Sequence, residues 1–435
     1  MLLLLTASIS NRLRYIADLM FCKLLGIEAR LTISTEEFAV YQGPKISYSR
    51  EPMAEGPFIE ASGLLFETNI SFQEVIPTTI DGVSVIFASG HPLSALPFDP
   101  FAAAFYMVTR YEEYHPFKKD TFGRFPATES IAWKGGFLDV PIVHLWAEIL
   151  KRMLSKHYQG LKFLHPRYRF TPTIDIDHAW CYLGRPLSRT LGGFGRSVIH
   201  GRFGEVTGRL KVLAGWTPDP YDNYIYLNMV HRPHENFPLF FILFADYGRN
   251  DNNVTVTSKN FHKLLMELDQ QGTVGIHPSL SSNKHPDKLE DEYEGLCEVL
   301  DRDVTISRQH FLKLSLPRTY RNLLHFGITD DYSMGYASHT GFRAGIAVPF
   351  AFFDLARNEV TPLVIHPVSL MDVTMMDYLR LNKVESMAKI ENMIQTIRSV
   401  HGEFVSLWHN ESLGDTGRWK GWREVYEEMV KLASS

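Results

Sequence analysis

The C-terminal two-thirds of the chain alternates short apolar runs with longer stretches in which apolar residues recur at helical spacing. Such apolar runs are typical of strands buried on both faces, as in a parallel sheet. They lie at Phe237 to Phe244, Thr273 to Ile276, Leu363 to Ile365 and Phe404 to Trp408. The helical stretches lie at Ser258 to Gln270, Lys288 to Leu300 and Lys383 to Ser399. Six or seven such units predict an α/β fold, a distorted or incomplete (β/α) barrel of about seven units.

The first 160 residues show strands and helices without this regular alternation. We predict a buried first strand from Leu2 to Ser8 and a helix from Asn11 to Leu25, with Asn11 as its cap. An aromatic-rich helix follows Asp99, which is a suitable capping residue. We therefore expect a smaller N-terminal α/β domain over residues 1–160, with no predicted role, and the barrel over residues 165–435.

Three charged residues stand close together in the N-terminal part, at Arg110, Glu112 and Glu113. They could form a site, but paired charges on the surface of a helix are the favoured interpretation.

Composition narrows the class of protein. The 435 residues are 45% apolar and 21% charged, with a formal net charge of -5. This is typical of a globular protein and gives no electrostatic argument for a nucleic acid or a membrane surface. The three cysteines lie far apart and predict no disulfide framework. The apolar start lacks a preceding basic residue, and no stretch reaches transmembrane length, so a cytoplasmic location without a membrane span is expected.

The first candidate chemistry lies at the end of a β-prone run from Tyr168 to Ile174. Asp175 and Asp177 follow this run with one residue between them. Side chains at i and i+2 of a strand point the same way, so the two carboxylates are expected to enter one space. That arrangement suits a metal ligand beside a general base, although two aspartates that cap turns remain the alternative.

Further polar residues follow other short apolar runs, and a strand end is where a barrel collects its chemistry. They are His277, Arg308, His310, Asp330, Asp331, His366, Asp372, His409 and Asn410. Carboxylates and imidazoles with room for water are the donors of an open divalent metal site. An Asp and a His beside that metal would supply a base and an acid for hydrolysis.

Residues 165–435 resemble the polysaccharide deacetylases of carbohydrate esterase family four, which remove acetyl groups from N-acetylated sugars. Thr173-Ile-Asp-Ile-Asp177 is similar to the first motif of the family. The resemblance implies that Asp175 is the general base and Asp177 a metal ligand. His277 matches the first His of the second motif, and His409, in Leu-Trp-His-Asn, matches the general acid of the last motif.

The chain departs from the family at Ser281, which stands where the second motif carries its second His. The third ligand is therefore expected from His310, with His285 as the weaker choice and Ser281 left open. Alternatively, the metal is weakly held or absent. The resemblance also implies that Arg308 or Arg343, in Gly-Phe-Arg-Ala-Gly, pairs with Asp175. It implies a divalent metal, Zn²⁺ by preference, and an N-acetylated glycan as substrate.

Two other functions stay open at this point. The missing second His would suit a barrel that keeps the fold without catalysis and binds glycan. Alternatively, the same groups would serve another metal-dependent hydrolase that acts on an amide or an O-acetyl ester.

The segment from Gly184 to Trp216 is rich in glycine and arginine. It would serve as a mobile lid over an anionic or sugar substrate. A solvated pair of linking helices is the slightly favoured interpretation.

Overall fold

The computed structural model describes residues 1–164 and 166–435, so the predicted domain boundary at His165 lies outside the described residues. The strands are β1 (Leu2–Thr6), β2 (Ala29–Thr32), β3 (Lys45–Ser49), β4 (Phe58–Glu60), β5 (Thr78–Ile80), β6 (Val83–Val85), β7 (Arg169–Ile176), β8 (Leu239–Ile242), β9 (Thr273–Ile276), β10 (Ile306–Ser307), β11 (Asp330–Asp331), β12 (Phe350–Asp354), β13 (Glu359–Ile365), β14 (Val368–Met371) and β15 (Glu403–His409).

The α-helices are α1 (Asn11–Ala17), α2 (Thr35–Val40), α3 (Pro100–Val108), α4 (Ile131–Lys134), α5 (Ile142–His157), α6 (Leu187–Ile199), α7 (Phe203–Leu213), α8 (Tyr224–His231), α9 (Lys259–Gln271), α10 (Pro286–Leu300), α11 (Arg318–His325), α12 (Lys383–Ser399) and α13 (Trp422–Ser434). A π-helical segment, Asp18–Leu24, continues α1. Among the described helices, none has the length and apolar character needed to cross a membrane.

The larger sheet has nine strands in the order β12-β13-β11-β10-β9-β8-β7-β15-β14. Eight of them run parallel, and β12 is antiparallel to β13. From β7 to β11 and on to β13 the strands follow chain order around the sheet, while β14 and β15 return to the other side of β7. This is the strand order of a curled, incomplete barrel whose open edges are β12 and β14.

The prediction of about seven βα units is not confirmed. In the described part of the chain, α-helices follow six of the eight parallel strands, since none lies between β11 and β12 or between β13 and β14. The two missing helices coincide with the side on which the sheet stays open.

Side-chain alternation along β7 and β15 decides which groups reach the barrel interior. Ile174 and Trp408 are fully buried in the main core, on the face of the sheet that points away from the barrel interior. The alternate positions, among them Val405 and Leu407, belong to a separate interior cluster. His409 lies directly beside Asp175 in the parallel register. The period of two therefore places acidic and basic side chains together at the carboxyl ends of these strands.

The N-terminal part contains a four-stranded sheet, β2-β1-β3-β4, whose mapped strand pairs are parallel. Its central strand β1 is buried throughout, as the apolar start predicts. Asp99 caps α3 through the backbone N–H groups of Phe101 and Ala102, which confirms the predicted cap. The cap of α1 is Ser10, which accepts from Leu13, so the prediction of Asn11 is wrong by one residue.

Arg110 and Glu113 are not surface charges, because both are buried between the N-terminal part and the barrel. Arg110 donates to Glu113 at 2.8 Å and to the hydroxyl of Tyr336 at 3.1 Å. Arg343 donates twice to Glu113, at 2.9 and 2.7 Å. A buried charge requires a partner, so this network ties the N-terminal part to the barrel.

His366 lies between β13 and β14 and is paired inside the barrel. Its Nδ1 lies 2.8 Å from Glu403 and its Nε2 lies 2.9 Å from Asp330, while the ring stacks on Tyr332 at 4.3 Å. Burial alone lowers the pKa of His366, but the two carboxylates outweigh it and raise the pKa to about 9. This histidine stabilises the barrel and does not join the other strand-end histidines.

Replacing this histidine, His366→Gln, is expected to change how stability depends on pH. A His pKa raised on folding stabilises fully below its unfolded value of about 6.5, and that contribution is lost as pH rises through about 9. The difference in unfolding free energy between wild type and variant should therefore shrink by on the order of 2–3 kcal/mol across that window. Urea unfolding at several pH values measures it. A difference that stays constant would contradict the pairing.

Candidate metal centre

Three side chains converge at the carboxyl ends of parallel strands. Asp177 follows β7, His277 follows β9 and His310 follows β10. The Nε2 atoms of His277 and His310 lie 3.3 and 3.4 Å from the two carboxylate oxygens of Asp177. One ligand atom from each residue lies within 4.8 Å of the other two. His277 is therefore within reach of Asp177, as a shared cation requires.

The ligand atoms of Asp177, His277 and His310 that face their common space are available to a cation. Asp177 Oδ1 is buried and accepts no hydrogen bond. The Nδ1 atom of His277 bonds to the carbonyl of Arg308, and Nδ1 of His310 lies 2.9 Å from Asp251. Partners that accept from Nδ1 leave the Nε2 lone pair for a cation. Two imidazoles and one carboxylate therefore fit an open divalent site of the zinc type.

The electrostatics of the set agree with a cation site. Burial raises the pKa of Asp177, but the charge of His310 and the close imidazole of His277 outweigh it and hold that pKa well below its usual range. Burial lowers the pKa of His310, while Asp177 and Asp251 raise it to about 9. A metal that binds His310 must therefore replace a proton, and its affinity should increase with pH.

Asp175 is held beside the ligand set by an arginine. Arg308 donates to Asp175 Oδ1 at 2.8 Å and to the hydroxyl of Thr173 at 2.6 Å, and both charged side chains are buried. The other oxygen of Asp175 lies 3.6 Å from Nε2 of His277. The charge-assisted bond fixes the direction of this carboxylate.

His409 has a carboxylate partner of its own. Asp372 accepts from the backbone N–H of His409 and from its Nδ1, both at 2.8 Å, and the Nε2 atom of His409 lies 3.9 Å from Asp177. Burial lowers the pKa of His409, but Asp372 and then Asp177 raise it to about 10. The imidazole is thus held as a proton donor at neutral pH.

These residues border a cavity of about 340 Å³. Its lining includes Asp175, Asp177, His277, His310 and His409. The other lining residues are Arg124, Phe311, Leu312, Ala337, Met371, Val373, Tyr378, Leu407, Glu411, Arg418 and Trp419. Aromatic and apolar walls around a few convergent polar groups are typical of a small-molecule site.

One wall residue, Arg124, comes from the N-terminal part. It donates to the carbonyl of Phe311 at 2.9 Å and to the hydroxyl of Tyr378 at 3.3 Å. Phe122 stacks on Phe311, with ring centroids 4.6 Å apart. Phe311 and Leu312 have φ of 61° and 51°, which bulky residues adopt only when neighbouring structure holds them there. The N-terminal part therefore supports the strained loop that follows His310.

We expect Arg124→Ala to weaken metal binding by about 10–100-fold, because loss of a group that orients a ligand has effects of this size. Competition with a chromogenic chelator measures the affinity. Arg418→Ala is the matched control, since Arg418 lines the same cavity but bonds to Asp377 and Glu411. Equal affinity in the two variants would show that Arg124 does not position His310.

Three sequence-predicted candidates lie elsewhere. Arg343 bonds to Glu113 and not to Asp175, so its predicted role is corrected. Ser281 accepts from Lys288 on the surface at 2.9 Å. His285 is exposed before α10. Ser281 and His285 line a neighbouring cavity and not the one at the metal centre.

Two residues that support the candidate site were not predicted from the sequence. Asp251, which anchors His310, lies in the turn after β8. Only its position after a buried strand could have indicated a place near the site. Arg124 carried no signal, because its contacts join residues that are 187 and 254 positions apart.

Comparison with known proteins gives the following. Residues 2–159 match a family model described as a family of unknown function (DUF7033). No curated protein matches the chain. Among solved structures, a protein from Mycobacterium smegmatis assigned as a polysaccharide deacetylase is similar at 16% identity and a TM-score of 0.40, covering 62% of this chain and 85% of that one.

The PuuE allantoinase is similar at 8% identity and a TM-score of 0.37, covering 64% of this chain and 86% of that one. The polysaccharide deacetylase Bc1974 from Bacillus cereus is similar at 10% identity and a TM-score of 0.27, covering 48% and 80%. Similarity at this level does not indicate the activity of this chain.

Proposed function

We propose that the chain is a metal-dependent hydrolase that removes N-acetyl groups from a sugar or polysaccharide. One observation carries the proposal: a carboxylate and an imidazole, each with its own buried partner, border the same three-ligand set. Asp175 bonds to Arg308, and His409 bonds to Asp372. Hydrolysis of an amide requires one group that takes a proton and another that gives one.

The candidate metal would be held by Asp177, His277 and His310, and Zn²⁺ suits two imidazoles and a carboxylate. When bound, such an ion polarises a carbonyl and lowers the pKa of water.

Proton movements are assigned to the chain's own groups. Asp175, oriented by Arg308, accepts a proton from the attacking water as the water oxygen bonds to the acetyl carbon. His409, kept protonated by Asp372, donates the Nε2 proton to the leaving nitrogen as the C–N bond breaks. The products are acetate and the free amino sugar. The pair of fixed, oppositely charged groups supplies acid and base without reorganisation.

Acetate release tests the proposal. Purified protein with added Zn²⁺ is assayed against matched N-acetylated and O-acetylated oligosaccharides, with and without a chelator. We expect acetate from the N-acetylated set and loss of activity with chelator. Acetate from the O-acetylated set alone would assign an esterase. Metal binding with no acetate from either set would favour a glycan-binding protein.

A further inference from the structure

The first two of the three α-helices between β7 and β8, α6 and α7, contact each other through polar groups. Arg209 of α7 is buried, donates to the carbonyl of Thr190 at 3.2 Å, and lies 5.2 Å from the ring centre of Phe194 in α6. Ser197 donates to Glu205 at 2.9 Å. Polar contacts therefore join α6 to α7.

The outward face of the pair is apolar. Leu187, Leu191 and Val198 share one side of α6 and are 74%, 60% and 52% exposed. Phe203 and Leu210 share one side of α7 and are 65% and 52% exposed. Ile199, Leu213 and Trp216 complete the set. Eight of the 24 exposed large apolar residues in the described part of the chain thus fall within residues 187–216. The segment is an exposed helix pair, as expected, but its exposed side is apolar.

The same segment carries a local surplus of positive charge. Residues 184–216 contain six arginines and lysines and one glutamate, whereas the whole chain has a net charge of -5. Arg196, Arg202 and Lys211 are exposed in the same segment as the apolar face. An exposed apolar face with basic residues around it is characteristic of helices that lie in the interface of a bilayer.

We propose that α6 and α7 form a docking surface for an anionic lipid bilayer. The local positive charge favours an anionic bilayer over a second copy of the chain as the partner at this face. A second copy docked through this same face would bring two positive surpluses together, which opposes association. An anionic lipid surface attracts each basic residue and accepts the apolar side chains.

The helix pair is connected to the strand end that carries the candidate metal centre. A short connecting segment joins Asp177 to α6, which begins at Leu187. Asp219 holds this segment by accepting from the backbone N–H groups of Cys181 and Tyr182 at 2.7 and 2.8 Å. The lipid-facing surface therefore starts from the strand end that carries the metal centre. This inference does not depend on the hydrolase activity.

Co-sedimentation of the full chain with vesicles tests the proposal. Phosphatidylcholine vesicles containing phosphatidylglycerol should bind the protein, and vesicles of phosphatidylcholine alone should bind it at least about tenfold more weakly. The double variant Leu191→Ser with Phe203→Ser should reduce binding to the anionic vesicles by about tenfold or more. Added salt should weaken the binding as well.

The matched control is Val360→Ser with Val384→Ser, two residues of β13 and α12 that are 55% and 79% exposed outside the helix pair. This control should bind as wild type does. Absence of binding to anionic vesicles, or equal loss in both double variants, would overturn the proposal. A dimer in solution that the helix-pair variant dissociates, without vesicle binding, would assign the face to a second copy and overturn it too.

Discussion

Asp175→Asn should lower turnover of an N-acetylated substrate by about 10³-fold or more while the protein stays folded and keeps its metal. The amide cannot accept a proton from water, and general-base catalysis contributes effects of this order. Arg308 would still find an oxygen to bond at this position, so the side chain should stay in place. The measurements are kcat from acetate release and metal content by elemental analysis.

The matched control is Asp81→Asn, a change of the same chemistry in an exposed turn between β5 and β6 where φ is 49°. Asn tolerates that conformation, so activity should not change. If Asp175→Asn retained most of its turnover, the base would have to be another group.

His310→Ala should reduce the affinity for Zn²⁺ by at least about 100-fold. Removing a direct ligand lowers metal affinity more than removing a residue that only orients that ligand. The variants His285→Ala and Ser281→Ala should bind the metal as wild type does, because both side chains lie away from the set. Chelator competition measures all three affinities.

This series separates the alternatives that the sequence left open for the third ligand. His310 is buried, so the folding of His310→Ala is checked by thermal unfolding, with His310→Gln as a variant that keeps more of the volume. Normal affinity in a folded His310→Ala, or a loss in His285→Ala, would contradict the assignment.

The sequence predicted those parts of the fold in which local pattern and burial agree. The apolar run Phe237 to Phe244 contains β8, and Lys288 to Leu300 lies within α10. It could not predict where the sheet stays open, because residues 332–349 carry neither a helical nor a strand period. Their place depends on distant contacts, such as the pairing of Arg343 with Glu113.

The candidate site was partly predictable for the same reason. Asp177 and His277 each follow a strand, so parallel order alone brings them to one edge. Arg343 was misassigned because its neighbouring residues resemble a motif, while the partner that holds it, Glu113, lies 230 positions away.

The helix pair shows how an average can conceal a local feature. A net charge of -5 over the chain gave no reason to expect a membrane surface. The surplus of basic residues lies in residues 184–216, and only the folded arrangement shows that the apolar side chains beside it point outward. Neither a lid nor a solvated linker predicts this arrangement.

The most direct test of the central claim is anomalous diffraction from crystals of the protein grown with Zn²⁺. The account predicts one strong peak bonded to Asp177, His277 and His310, with Asp175 and His409 beside it. Crystals that contain zinc but show no peak within bonding distance of these three side chains would contradict it.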